Sequence, residues 1–122
     1  MIKLLAVDDE PSFLEMIQLY FEPRGYKVLL ALEGDTALKI AQDEQPDIAL
    51  IDLKMPGKYG DEVMLAMKKI SPHTKSIMIT ALEGVEENRE KFMKMGAADC
   101  FDKPVVSLKD LESKVKEVLS LP

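Results

Sequence analysis

An α/β fold of alternating strands and helices, (βα)5, is what the apolar pattern of this chain predicts. Short apolar runs rich in branched residues and bounded by turn formers occur at Ile2 to Val7, Tyr26 to Leu32, Ile48 to Ile51, Ile77 to Ile79 and Cys100-Phe101. After each of them the spacing lengthens to that of an amphipathic helix. The runs are unbroken rather than alternating, which implies strands covered on both faces. The sheet is therefore expected to be parallel, doubly wound, with right-handed crossovers.

Each element has its own signal. The first run stops at Asp8-Asp9-Glu10, and Pro11 suits the first turn of a helix because its missing N–H would be unpaired there anyway. Along that helix Phe13, Met16, Ile17 and Tyr20 are spaced to form a core face, Leu14 and Phe21 extend it, and Leu19 falls at the far edge. Gly25 suits a left-handed helix end before the second run. Ala37, Ile40 and Ala41 mark the next helix, ended near Pro46, and Val63, Met67 and Ile70 the third, ended near Pro72. His73 then lies in a turn with no second ligand at a metal-binding spacing. Glu83, Glu86, Glu87 and Glu90, with Arg89, Lys91 and Lys94, read as a solvated helix face that could also serve as a dimer face. Gly96 closes that helix, Ser107 caps the last one, and Leu108, Leu111, Val115 and Val118 supply its stripe. Met64, Met67, Met93 and Met95 read as core or interface residues.

Composition narrows the function classes. A chain of 122 residues, 47% hydrophobic, predicts one domain over 1–122, with 119–122 the only stretch suited to begin a linker. A net charge of −6 leaves no basic face for nucleic acid. The lone Cys100 has no disulfide partner within the chain, and no run approaches the ~18 apolar residues of a membrane span. The cytoplasm is the expected compartment.

In an open parallel sheet, ligands bind beyond the carboxyl ends of the strands. Asp8-Asp9, Asp52, Thr80 and Lys103-Pro104 each follow an apolar run, so all are expected along one rim. Singly they read as a turn former, a cap, a strand residue and a solvated charge. Together they supply three carboxylates, a hydroxyl and an ammonium, the set that holds a divalent cation and a phosphoryl group on an aspartate. A flavin or nucleotide binder of similar fold would need glycine or hydroxyl residues in its first loop, where Asp8-Asp9-Glu10 repels phosphate. An aspartyl-phosphate phosphatase shares the nucleophile but pairs it with a second acid two residues on, where Lys54 stands, and needs a cap too large for this length.

The stretches Val7 to Pro11, Ile51 to Gly57 with Gly60, Ile79 to Ala81, Gly96 to Asp99 and Lys103-Pro104, in that order and spacing, resemble the receiver domain of two-component response regulators over nearly the whole chain. The resemblance implies a strand order 2-1-3-4-5, dependence on Mg2+, and transient phosphorylation of one aspartate by a sensor histidine kinase or phosphotransfer protein. It makes Asp52 the phosphoacceptor, with Mg2+ held by Asp9, Asp52, the Lys54 carbonyl and, through water, Asp8. Lys103 and Thr80 would contact the phosphoryl oxygens, and a cis bond before Pro104 would aim the lysine into the site. A degenerate receiver used only as a scaffold is disfavoured by the intact acidic set.

The chain departs from the family where an aromatic switch is usual, because Cys100 stands there and Phe101 falls on the other face of the strand. Output is therefore expected through Thr80 and the segment 82–95. Leu82 carries no group to orient hydrolytic water, which predicts slow self-dephosphorylation. Leu14 is expected as an exposed apolar contact for the phosphodonor. The downstream partner is either a separate effector protein or an output domain outside this sequence, and a phosphorylation-dependent homodimer is compatible with the acidic face.

Overall fold

The computed structural model describes residues 1–55, 57–81 and 85–121, with side chains described at all of these but 85–88. Strands β1 (Ile2–Val7), β2 (Tyr26–Ala31), β3 (Ile48–Asp52), β4 (Lys75–Thr80) and β5 (Asp99–Asp102) alternate with helices α1 (Pro11–Phe21), α2 (Gly34–Glu44), α3 (Gly60–Ile70), α4 (Val85–Met95) and α5 (Leu108–Val118). A short 3-10 turn, Glu22–Arg24, precedes β2. The sheet is parallel throughout, in the order β2-β1-β3-β4-β5. The predicted (βα)5 fold and strand order are thus observed.

Strand pleating divides the core into two layers, since successive side chains point to opposite faces. Leu4, Ala6, Leu50, Ile77 and Ile79 meet Leu14, Ile17 and Phe21 of α1 and Leu111 and Val115 of α5. Leu5, Val7, Ala49, Ile51 and Met78 meet Ala37 and Ala41 of α2, Val63, Met64 and Met67 of α3, and Phe92 of α4. Both faces of the central strands are consequently dry.

Several strand ends and one helix face differ from expectation. β4 begins at Lys75, two residues early, because Lys75 and Ser76 pair with Ile48 and Ala49 although neither is apolar. β2 ends at Ala31, leaving Leu32 exposed. On α1 the buried residues are Leu14, Ile17 and Phe21, so the core face is rotated from the one predicted. Leu14 is therefore corrected: it is only 4% exposed and packs with the α1–α5 layer, where i, i+3 and i+7 face the sheet together. It shows only at the floor of a groove of about 520 Å³ beside Leu30 and Leu32.

Caps follow their chemistry. The Ser107 hydroxyl accepts from the Asp110 N–H at 3.1 Å, Pro11 occupies the first turn of α1, and Gly25 and Gly96 have φ of 94° and 106°. His73 sits in the turn before β4 and contacts the Gln45 carbonyl at 3.1 Å.

The start of α3 depends on Gly60. Its N–H donates to the Leu53 carbonyl at 2.9 Å, and a Cβ there would lie 2.2 Å from the Asp52 carbonyl oxygen and 3.0 Å from Ile51 Cγ2. Backbone cannot yield as a flexible side chain does, so Gly60→Ala must push α3 off the end of β3. The expected loss is roughly 1–3 kcal/mol, read as a lower urea midpoint. An unchanged midpoint would show that α3 can retreat without cost.

Candidate functional site: the carboxyl rim of the sheet

Register brings the polar residues together. Val7 pairs with Ile51, so Asp8 and Asp52 leave adjacent strands at the same level. Asp52 pairs with Ile79, one residue before Thr80, and Thr80 pairs with Asp102, one residue before Lys103. The Lys103 N–H donates to the Thr80 carbonyl at 3.0 Å, and the Lys103-Pro104 peptide is cis.

Asp8 is fixed from three directions. Its N–H donates to the Ala31 carbonyl at 3.1 Å, its Oδ1 accepts from the Glu10 N–H at 2.9 Å, and its Oδ2 accepts from Lys103 Nζ at 2.6 Å. The same ammonium lies 3.6 Å from Asp52 Oδ2 and 3.5 Å from Glu10 Oε1. Lys54 approaches through its backbone N–H, 3.4 Å from Asp52 Oδ1. Asp9 is exposed beside Asp8, and ligand oxygens of Asp8, Asp9 and Glu10 all fall within 4.8 Å of one another. Thr80 is buried at the end of β4.

This donor set is all hard oxygen, with few carboxylates on an open rim. That suits Mg2+, which keeps several waters and takes one or two carboxylates.

Electrostatics follow from burial. Asp52 is 7% exposed, and its carboxyl is pushed up to about 6, first by burial and then by the Asp8 charge, against the pull of Lys103 and the Lys54 N–H. Burial also raises Asp8 above the usual carboxylate range, although Lys103 opposes it. For Lys103 burial works downward, but the hydrogen bond to Asp8 and the charges of Asp8, Asp52 and Glu10 outweigh it and hold the ammonium above its ordinary value.

The family model for the response regulator receiver domain matches residues 4–116. The chain is a response regulator receiver domain. Sporulation initiation phosphotransferase F of Bacillus subtilis (strain 168) is 34% identical over 98% of this chain and 94% of its own length. The transcriptional regulatory protein PhoP of the same organism is 33% identical over 96% of the chain, which spans only 48% of that relative. Among solved structures, a CheY-like receiver domain from Methanospirillum hungatei JF-1 superposes with a TM-score of 0.90 at 32% identity, covering 98% of this chain and 94% of that one. The regulator TrrA of Thermotoga maritima, solved in complex with Mg2+ and BeF, has a TM-score of 0.83 at 30% identity, covering 97% of this chain and 99% of that one. No described helix of this receiver is long and apolar enough to cross a membrane.

Every described member of the polar set predicted from sequence lies on this rim. Cys100 is buried with the α3–α4 layer and Phe101 packs on the α1–α5 side, the opposite faces that pleating requires. Leu82 lies outside the described residues, as do 83 and 84 and the side chains of 85–88. Sequence reasoning missed Glu10 and Phe13. Glu10 gave a faint signal as the third acid of its run, whereas Phe13, with Lys103 Nζ 4.7 Å from its ring centroid, gave none because it read as core.

Because the folded receiver holds Asp52 near 6 and an unfolded chain near 3.8, the folded state binds more protons between those values and loses stability as pH rises through them. Without divalent cation, Asp52→Asn is expected to stabilise by roughly 2 kcal/mol at pH 8 and by almost nothing at pH 4. Chemical denaturation in EDTA at both pH values checks this. A gain that does not depend on pH would assign the effect to something other than this carboxylate.

Proposed function

We propose that Asp52 accepts a phosphoryl group from the phosphohistidine of a sensor histidine kinase or phosphotransfer protein. The observation that carries this reading is the Lys103 ammonium, 2.6 Å from Asp8 and 3.6 Å from Asp52, which brings a cation to the acid at the end of the central strand. An Asp52 oxygen attacks phosphorus in line, the phosphorus–nitrogen bond breaks, the imidazole leaves and an acyl phosphate remains. With its carboxyl near 6, Asp52 is mostly ionised at neutral pH. Lys103 pairs with one phosphoryl oxygen and the Thr80 hydroxyl donates to another. The small Ala81 leaves them room.

Asp9, Asp52 and the Lys54 carbonyl, with Asp8 acting through water, would hold Mg2+; when bound, it screens the repulsion between carboxylate and phosphoryl dianion. The complex of TrrA with Mg2+ and BeF supports that choice of cation.

The remaining assignments belong to the same reading. Catalysis is confined to the receiver's own phosphorylation and dephosphorylation. The signal passes through Thr80 and the segment 82–95, with Cys100 in place of an aromatic switch. Residues 1–122 form one receiver domain in the cytoplasm, acting on an output domain or on a separate effector protein. Phosphorylation-dependent pairing of two copies fits the acidic run of sequence over 83–90.

Incubation with acetyl phosphate and Mg2+ should give an alkali- and hydroxylamine-labile adduct on Asp52, detected by intact mass and peptide mapping. It should be absent with EDTA or in Asp52→Asn, and an undiminished adduct in that variant would sink the assignment. In a second experiment, Leu82→Glu is expected to hasten decay of the adduct about ten-fold, by supplying a group that can orient the attacking water. An unchanged decay rate would show that position 82 does not govern hydrolysis.

A further inference from the structure

We propose that Phe13 is a positioning residue for the Lys103 ammonium, holding it over the phosphorylation site and away from solvent. The inference rests on the role of Lys103 in the reading above. Lys103 Nζ lies 4.7 Å from the Phe13 ring centroid, within reach of the electron-rich face of the ring. The ring is half-buried in the first turns of α1 and packs against the α1–α5 layer, so it is fixed in place. Its partner is well shielded, since the Lys103 side chain is 13% exposed, and shielding from water strengthens such an attraction.

What the ring decides is a competition. The ammonium has three carboxylates within reach: Asp8 at 2.6 Å, Glu10 at 3.5 Å and Asp52 at 3.6 Å. Asp8 and Asp52 are buried, whereas the Glu10 side chain is 64% exposed and offers the lysine a route outward. A lysine tail has many rotamers, and solvation of an ammonium favours the outward ones. The ring opposes them without competing for a hydrogen bond. Because attraction to a ring face falls off gradually over several ångströms, it persists while Nζ shifts from Asp8 toward an oxygen on Asp52. A hydrogen-bond acceptor in place of Phe13 would instead fix the lysine at one point.

The test uses the whole receiver with Mg2+ and acetyl phosphate, a donor too small to need a docking surface on α1. Phe13→Leu, which keeps an apolar side chain of similar reach, should slow phosphorylation about five-fold, while Phe13→Tyr restores the rate. Adding Glu10→Gln to Phe13→Leu should recover much of the loss by removing the outward competitor. In a Lys103→Ala background, Phe13→Leu should change nothing further. A rate for Phe13→Leu equal to wild type, or a five-fold loss that persists in Lys103→Ala, overturns the proposal, the latter by showing a packing effect. Thermal midpoints of all variants confirm that they are folded. Failure of the wild-type chain to accept phosphate would refute the proposed function, whereas normal phosphorylation of wild type with an unaffected Phe13→Leu refutes only the role of the ring.

Discussion

At the carboxyl rim of the sheet, one ammonium serves three acids. Lys103 contacts Asp8, Glu10 and Asp52, and two of those carboxylates are buried. Ionised groups taken from water need compensation, and a single lysine cannot supply it fully to several acids. The shortfall appears as upward shifts at Asp8 and Asp52, where burial outweighs the lysine. A site left negative in this way is suited to collect a cation. Neutralising it completely with protein charges would remove the reason for a metal to bind.

Holding like charges together requires a rigid frame. The parallel register of β1, β3, β4 and β5 fixes the backbone beneath each functional side chain, and the pairing of Val7 with Ile51 gives Asp8 and Asp52 no freedom to move apart along their strands. The two dry layers on either side make that register costly to slip, because a shift of one residue would turn each strand's apolar set to the opposite layer. Gly60 adds a local constraint by letting α3 start against the Asp52 carbonyl, so the end of β3 is pinned from behind. Among the described residues no buried side-chain nitrogen or oxygen lacks a partner, so the strain at the rim is electrostatic rather than a matter of missing hydrogen bonds.

Much of this was legible in the sequence because a parallel sheet turns chain order into spatial order. Every strand delivers its last residue to the same rim, so Asp8, Asp52, Thr80 and Lys103 could be grouped from the ends of apolar runs alone. Where runs were impure the reading failed. Lys75 and Ser76 belong to β4 through backbone pairing that ignores side-chain polarity. On α1, Phe13, Leu14, Met16, Ile17, Leu19, Tyr20 and Phe21 are all apolar, so the pattern does not say which stripe faces the sheet. Tertiary packing chose Leu14, Ile17 and Phe21. Contacts from residue 103 to Glu10 and Phe13 cross some ninety positions of sequence and depend on where a flexible lysine points, which no local pattern encodes.

A second acid on the sheet shows what full compensation looks like. Asp99, at the start of β5, is 5% exposed, comparable to Asp52, yet its carboxyl is held below the usual range. Burial pushes it up, but Lys114 of α5 at 2.9 Å, the Cys100 N–H at 2.8 Å and Arg89 of α4 together win. Two cations attend one carboxylate here, whereas three carboxylates share one cation at the rim. The signs of their contributions to stability are accordingly opposite. Asp99 supports the fold above the ordinary carboxylate range and loses that effect only as pH falls through its depressed value. Asp52 weighs against the fold progressively as pH rises from 3.8 to about 6, and in full above that, at neutrality. The same side chain at similar burial therefore ties α4 and α5 to the sheet in one place and leaves uncompensated charge in the other, and the number of cations within reach is what separates the two.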